Sequence, residues 1–412
     1  MSIKVIAIIL FVIEFLYKSL LNYLDWKSMK NPIPANVADI FDDAEYQKWL
    51  GYHSEKARLG LFSSLTEFVI ALVALAFNLY AAFASLFPEG PIWGIFAVIL
   101  FNSILNIFVL PFAYYNTMTI EAKYGFNRST KKTFWLDQLK SNLIMIILLT
   151  LIGIIIMCIH QLLGDWLIIA MAIVLTVLIL AISFLYPIFS KIFNKFVDLE
   201  EGELKEKLTG LLEKNGYHVR AIQVMDASKR STKMNAYFTG FGKMKTIVLY
   251  DTLKEALSTD EICAVFAHEM GHGLHKDTLK NQIFTFIQML ILAVLAWLTL
   301  RTPECFTEFG FREINYGFAM LFILSVEFAV VSPLLALVVN YFSRRAEYRA
   351  DAQAVKEGYG DALVSALKHL AKSNFANLSP DPLVVKLEYS HPTLSQRFDA
   401  IEKALREEKK EA

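Results

Sequence analysis

The chain is predicted to be an all-α polytopic membrane protein of seven spans with one small β-hairpin. Three observations carry that prediction: the composition, the length of the apolar blocks, and the alternation of the basic loops between them. Of the 412 residues, 55% are hydrophobic and only 19% charged, and Phe alone occurs 32 times. A soluble protein of this length has too little interior for so much apolar surface. The apolar residues also run in blocks of about 20, the length a helix needs to cross a bilayer.

The seven spans are predicted over residues 3–24, 61–86, 92–115, 143–159, 166–188, 284–300 and 316–341. The first carries Glu14 and Lys18 within its apolar run and lacks a small-residue cleavage site, so it reads as a retained helix, not a signal peptide. Pro88, Gly90 and Pro91 break the chain between the second and third. A very short hairpin, 159–164, separates the fourth and fifth. Pro187 and Pro333 are expected to kink their spans. Glu327, Asn102, Asn106 and Asn340 within spans suit helices that line a wet cavity.

Basic residues set the orientation. The first loop has Lys27, Lys30, Lys48, Lys56 and Arg58, and the third has Lys123, Arg128, Lys131, Lys132 and Lys140. The loop 190–281 and the tail after Arg344 are also basic. The second and fourth loops have no Lys or Arg, and the sixth has only Arg301 and Arg312. With seven spans every basic segment falls on one side, which the positive-inside rule makes cytosolic, with the N-terminus outside. The chain then divides into spans one to five (1–189), a cytosolic-side loop (190–281), spans six and seven (282–343) and a helical C-terminal segment (344–412). Formal net charge is zero, which gives no general attraction to nucleic acid. A monomer in the bilayer is expected. Cys158, Cys263 and Cys305 are odd in number and scattered, so free thiols are expected instead of a disulfide framework.

Chemistry is concentrated at His268-Glu269-Met270-Gly271-His272. Two His four apart share a helical face within reach of one metal ion. The helix is marked by the capping-box pair Ser258 and Glu261 and by the apolar stripe Ile262, Val265 and Phe266. Zinc lowers the pKa of its water toward about 7, and Glu269 is placed to take the proton as that water attacks a carbonyl, a zincin-like arrangement. Gly271 lets another chain or a substrate approach closely. A catalytic zinc takes three protein ligands. The other histidines are His53, His160, His218, His275, His369 and His391. A carboxylate from Glu347 or Asp351, four apart at the end of the seventh span, is the better third ligand. One would ligate while the other accepts the second N–H of a ligand histidine. The alternative is that both acids pair with Arg344, Arg345 and Arg349 on a solvated helix.

Residues 234–240 and 245–250 read as two strands, with a turn over 241–244. An exposed strand edge holds a peptide extended through backbone bonds that ignore its sequence. Asn235 is positioned to bond a substrate backbone, although the hairpin would also serve as a cover for the metal helix. His391, before Pro392 at the start of the last helix, is a candidate donor to the oxyanion formed in peptide hydrolysis, or else structural. Arg397 further on is a candidate substrate contact. His275 is either a neighbour of the metal ligands or a polar helix end.

Asn235-Ala236-Tyr237-Phe238, Ile247 through Leu253, His268 through His272, Glu347 through Asp351 and Ser390-His391-Pro392 together closely resemble the type I CAAX prenyl endopeptidases. So do Ile120 through Asn127 and Phe193-Asn194-Lys195-Phe196. The resemblance covers nearly the whole chain. It implies a ring of spans around a water-filled chamber and one zinc ion per chain. It also implies removal of the last three residues from proteins ending in a lipidated CAAX cysteine. Carried onto this sequence, it implies Glu347 as the third ligand, Asp351 as the orienting acid, and Asn235 and His391 as substrate-binding. The membrane would be the endoplasmic reticulum in a eukaryote and the cytoplasmic membrane in a prokaryote. The alternatives are a membrane quality-control metalloprotease, whose smaller relatives have fewer spans, and a transporter with a chance motif.

Overall fold

In lipid a backbone must satisfy its own hydrogen bonds, so long apolar runs fold as helices. The computed structural model describes residues 1–217, 219–239 and 246–411. His218 and the predicted 241–244 turn, with the flanking Gly240 and Lys245, lie outside the described residues.

Each predicted span lies on helix. The elements are α1 (Ile3–Ser28), α2 (Asp43–Ala76), α3 (Leu79–Ala84), α4 (Pro91–Asn106), α5 (Leu110–Tyr115), α6 (Lys131–Leu163) and α7 (Leu167–Ser190). After the sheet region come α11 (Asp277–Leu300), the short α12 (Glu304–Thr307), α13 (Tyr316–Phe322) and α14 (Phe328–Lys356). Among the described residues, α2, α6, α11 and the continuous α13–α14 rod are long and apolar enough to cross a membrane. Counting the pair Pro91–Asn106 and Leu110–Glu121, bent by 47°, as one span makes a fifth. The helices α1 and α7 occupy the two remaining predicted spans.

The spans are interrupted at two further points. The second span breaks at Asn78, whose φ of 59° lies in the left-handed region, and α3 restarts beyond it. Lys4 closes that break, its Nζ donating to the Ala76 carbonyl at 2.7 Å and to Asn78 Oδ1 at 2.8 Å. In the seventh span a π-helical turn, Ile323–Glu327, precedes α14, which continues through Pro333. Several helices overrun the apolar blocks. The helix α2 begins at a capping box of Asp42 and Glu45, well before residue 61, and α14 continues past 341 to Lys356.

The predicted hairpin proves to be half of a larger sheet. Four strands, β1 (Phe196–Asp198), β2 (Ala221–Met225), β3 (Ala236–Thr239) and β4 (Thr246–Tyr250), lie in the order β1-β2-β4-β3. The strand β4 pairs antiparallel with β3 and parallel with β2, and β2 pairs antiparallel with β1. With three and five residues, β1 and β2 are too short for alternation to declare them. This order leaves β3 at the edge, with its outer side unpaired among the described strands.

The helices α8 (Glu203–Lys214), α9 (Asp251–Ala256), α10 (Thr259–Leu274), α15 (Gly360–Asn374), α16 (Pro382–Glu388) and α17 (Leu394–Glu411) complete the region around the sheet. Ile222, Val224, Ile247 and Leu249 of the sheet share a buried cluster with Ile262, Phe266, Ala267 and Met270 of α10. The sheet thus backs the helix that carries the histidines. A separate cluster built on Ile95, Ile156, Ala293, Phe306 and Phe318 holds the spans together. Between α1, α2, α4 and α13 lies a cavity of about 490 Å³ bordered by Glu14, Lys18, Glu67, Asn102 and Asn106. Of these, Glu14, Lys18, Asn102 and Asn106 are polar interruptions noted in the first and third predicted spans, and Glu67 adds one from the second.

Candidate metal centre

The helix α10 starts on a closed capping box. Ser258 Oγ accepts from the Glu261 N–H, and Glu261 accepts from the Ser258 N–H at 2.8 Å. Ser365 donates to the same carboxylate at 2.6 Å. With its start fixed and its apolar side on the sheet, α10 presents His268 and His272 together toward α14. One ligand atom from each of His268, His272 and Glu347 lies within 4.8 Å of the others.

Close packing of the two helices makes this possible. A Cβ on Gly271 would stand 2.9 Å from Ala350 Cα and 3.3 Å from its carbonyl oxygen. The chain admitted by Gly271 is therefore α14, whose Ala346, Ala350 and Ala354 are all buried. Because the obstacle is backbone, Gly271→Ala must push the helices apart. It is expected to destabilise by about 1–3 kcal/mol and to draw Glu347 away from the histidines. Thermal melting together with metal analysis measures both effects, and a variant that keeps both values would refute the packing argument.

Each histidine turns Nδ1 to an acid, leaving Nε2 for a metal. His268 Nδ1 lies 2.8 Å from Asp351 Oδ1, and His272 Nδ1 lies 3.2 Å from Asp277 Oδ2. On the other side of the rings, Glu347 Oε1 is 3.2 Å from His272 Nε2, and Oε2 is 3.5 Å from His268 Nε2. Glu347 is 4% exposed, and its Oε2 has no hydrogen-bond partner. A buried carboxylate whose two oxygens each face a ring nitrogen, one of them without a hydrogen bond, fits a cation. Two imidazole nitrogens and one carboxylate oxygen are a donor set for a divalent transition metal. Burial is the largest influence on His272 and opposes its charge, but the bond and charge of Glu347, the charge of Glu269 and the bond to Asp277 together outweigh it and push the pKa up to about 9. Metal and proton compete for that Nε2.

The remaining predicted residues are placed as follows. Glu269 is half-buried on α10 beside His268. His391 is exposed, bonded through Nδ1 to Ser390 Oγ at 2.8 Å, with Nε2 3.4 Å from Glu347 Oε1. Asn235 is exposed just ahead of the edge strand and accepts from the Ala236 N–H at 2.9 Å. His275 caps the end of α10 and is exposed. Arg397 is turned into the site. It is 8% exposed, and it grips Asp351 through Nε at 2.9 Å and Nη2 at 2.6 Å, with Nη1 3.7 Å from Glu347 Oε2. A guanidinium so engaged supports the acids of the site. Asp277 escaped the sequence reading because the segment after His272 reads as loop. Its one signal is an acidic residue in the first turn of a span-bearing helix.

Comparison with known proteins identifies relatives along nearly the whole chain. Residues 22–195 match the family model described as CAAX prenyl protease N-terminal, five membrane helices. Residues 198–405 match the model of peptidase family M48. The chain is 31% identical to CAAX prenyl protease 1 of Saccharomyces cerevisiae, covering 94% of this chain and 93% of that one. It is also 31% identical to the CAAX prenyl protease 1 homolog of Arabidopsis thaliana, with 95% of both chains covered. The human CAAX prenyl protease 1 homolog is 28% identical over 90% of this chain and 88% of its own. The crystal structure of S. mikatae Ste24p superposes with a TM-score of 0.89 at 28% identity, covering 97% of this chain and 99% of that one.

Proposed function

The chain belongs to the CAAX prenyl proteases of peptidase family M48, and from that premise we propose that it removes the last three residues of prenylated CAAX proteins as a zinc endopeptidase. The observation that carries this reading is the convergence of His268, His272 and Glu347 on one point, with both Nδ1 atoms held by acids. These three residues would hold the zinc ion. Bound there, zinc supplies a Lewis acid that polarises the scissile carbonyl and acidifies water.

The chain's own residues supply the rest. Glu269 takes the proton of the attacking water and returns it to the leaving amine. His391 Nε2, on the open side of Glu347, donates to the oxyanion. The outer edge of β3, last in the order of the described strands, pairs with the substrate main chain and Asn235 bonds its backbone, which accommodates varied sequences. Asp351 fixes the tautomer of His268, and Arg397 fixes Asp351. The prenyl tail lies among the spans while the peptide lies along the strand. The metal helix and C-terminus face the cytosol and the N-terminus the opposite side, in keeping with the basic loops. The chain acts as a monomer. Relatives named as CAAX prenyl proteases over nearly the whole length weigh against a quality-control peptidase.

The test is hydrolysis of a farnesylated CAAX peptide beside its unlipidated twin, read by mass spectrometry. Cleavage three residues from the end is expected, with kcat/KM at least about tenfold higher for the farnesylated form, since each buried methylene contributes about 0.8 kcal/mol. Equal rates would remove prenyl recognition from the reading.

A further inference from the structure

We propose that Asp277 is the positioning residue for His272, and that Arg349 holds Asp277 in turn. The inference rests on the metal centre described above and adds two residues to it. An imidazole that ligates through Nε2 keeps its plane and tautomer only if Nδ1–H has a fixed acceptor. For His268 that acceptor is Asp351, clamped by Arg397. The structure provides a second relay of the same construction for His272. Asp277 Oδ2 faces His272 Nδ1 at 3.2 Å, and Asp277 Oδ1 accepts from Arg349 Nη2 at 2.7 Å and from Lys280 Nζ at 3.0 Å.

Local backbone brings the acid there. The chain leaves α10 at Leu274 and turns at Lys276, whose φ of 56° lies in the left-handed region. That turn starts α11 at Asp277 and folds its first residue back beneath the ring five positions earlier. Asp277 is 5% exposed, a burial a lone carboxylate would not tolerate without the three donors around it. Arg349 comes from α14, two residues beyond Glu347, so the relay ties both metal-bearing helices to the first turn of the sixth span.

The two relays differ in shelter. Asp351 and Arg397 are 1% and 8% exposed. The side chains of Arg349 and Lys280 are 42% and 50% exposed. Salt screens exposed pairs far more than sealed ones. The His272 arm is therefore the one that yields first when metal leaves.

The experiment is loss of zinc from the full-length protein in detergent micelles after addition of excess chelator, followed by metal analysis of the re-isolated chain. Asp277→Ala should lose zinc about 10–100-fold faster than the parent. Asp277→Asn, which keeps an acceptor but not the charge, should fall between them, and Arg349→Ala should accelerate loss by less than Asp277→Ala. Zinc release from Asp277→Ala at the parental rate overturns the inference and leaves the metal centre standing. If Asp277→Ala does not fold, parental rates in both Asp277→Asn and Arg349→Ala overturn it equally. A parent protein that holds no zinc overturns the metal centre and the relay with it.

Discussion

Glu269→Gln is expected to lower the turnover of a CAAX peptide by about 10²–10⁴-fold, the usual contribution of a positioned general base, while zinc content stays at one ion per chain. The two halves of that result have separate causes. Gln keeps the shape and half-buried setting of Glu269 on α10, and the three donor atoms that converge belong to His268, His272 and Glu347. An amide cannot take a proton from water at neutral pH, so the attack loses its base while the metal keeps its ligands. Peptide turnover by mass spectrometry, with metal analysis of the same preparation, gives both readings. Full turnover in the variant would sink the assignment of the base, and loss of zinc would mean that Glu269 is itself a ligand.

Glu347→Ala is expected to give the reverse pattern, a protein that has lost its metal and for that reason its activity. Glu347 faces both Nε2 atoms, at 3.2 Å and 3.5 Å, from the far helix. Without it, two histidines on one helix must hold the ion alone. The loss of affinity should exceed the roughly 10–100-fold typical of removing a backing partner. The fold should survive, because Arg397 keeps its two bonds to Asp351 and no buried charge is stranded. Metal analysis and a melting curve check this, and normal zinc in Glu347→Ala would overturn the third-ligand assignment.

Much of this site could be read from sequence because its spacings are local. His268 and His272, and Glu347 and Asp351, each sit four apart, and such pairs share a helical face wherever the helix goes. Spacing could not say which acid of the second pair ligates. That answer depends on the rotation of α14 against α10, which Gly271 and Ala350 set across 79 residues of chain. Asp277 and Arg349 meet across 72 residues, a separation at which no periodicity speaks. Arg397 was expected at the substrate, and its burial against Asp351 follows from the packing of α17 on α14, which no spacing declares, while His391 reaches the same Glu347 from the exposed side. The spans were legible from hydropathy and charge. Where they break was not, since a left-handed Asn78 and a π-helical turn at Ile323–Glu327 leave little trace in composition.

If substrate adds to the edge of β3 as proposed, that mode of binding decides which molecules the enzyme can digest at all. An edge strand binds only a partner whose own amides are free, so a helical or folded tail is invisible to it whatever its sequence. Throughput is then governed by the fraction of time a protein's terminus spends uncoiled, and any element that keeps the last turn wound acts as protection. Two proteins with the same final residues would mature at different speeds if one ends in a stable helix and the other in a loose tail.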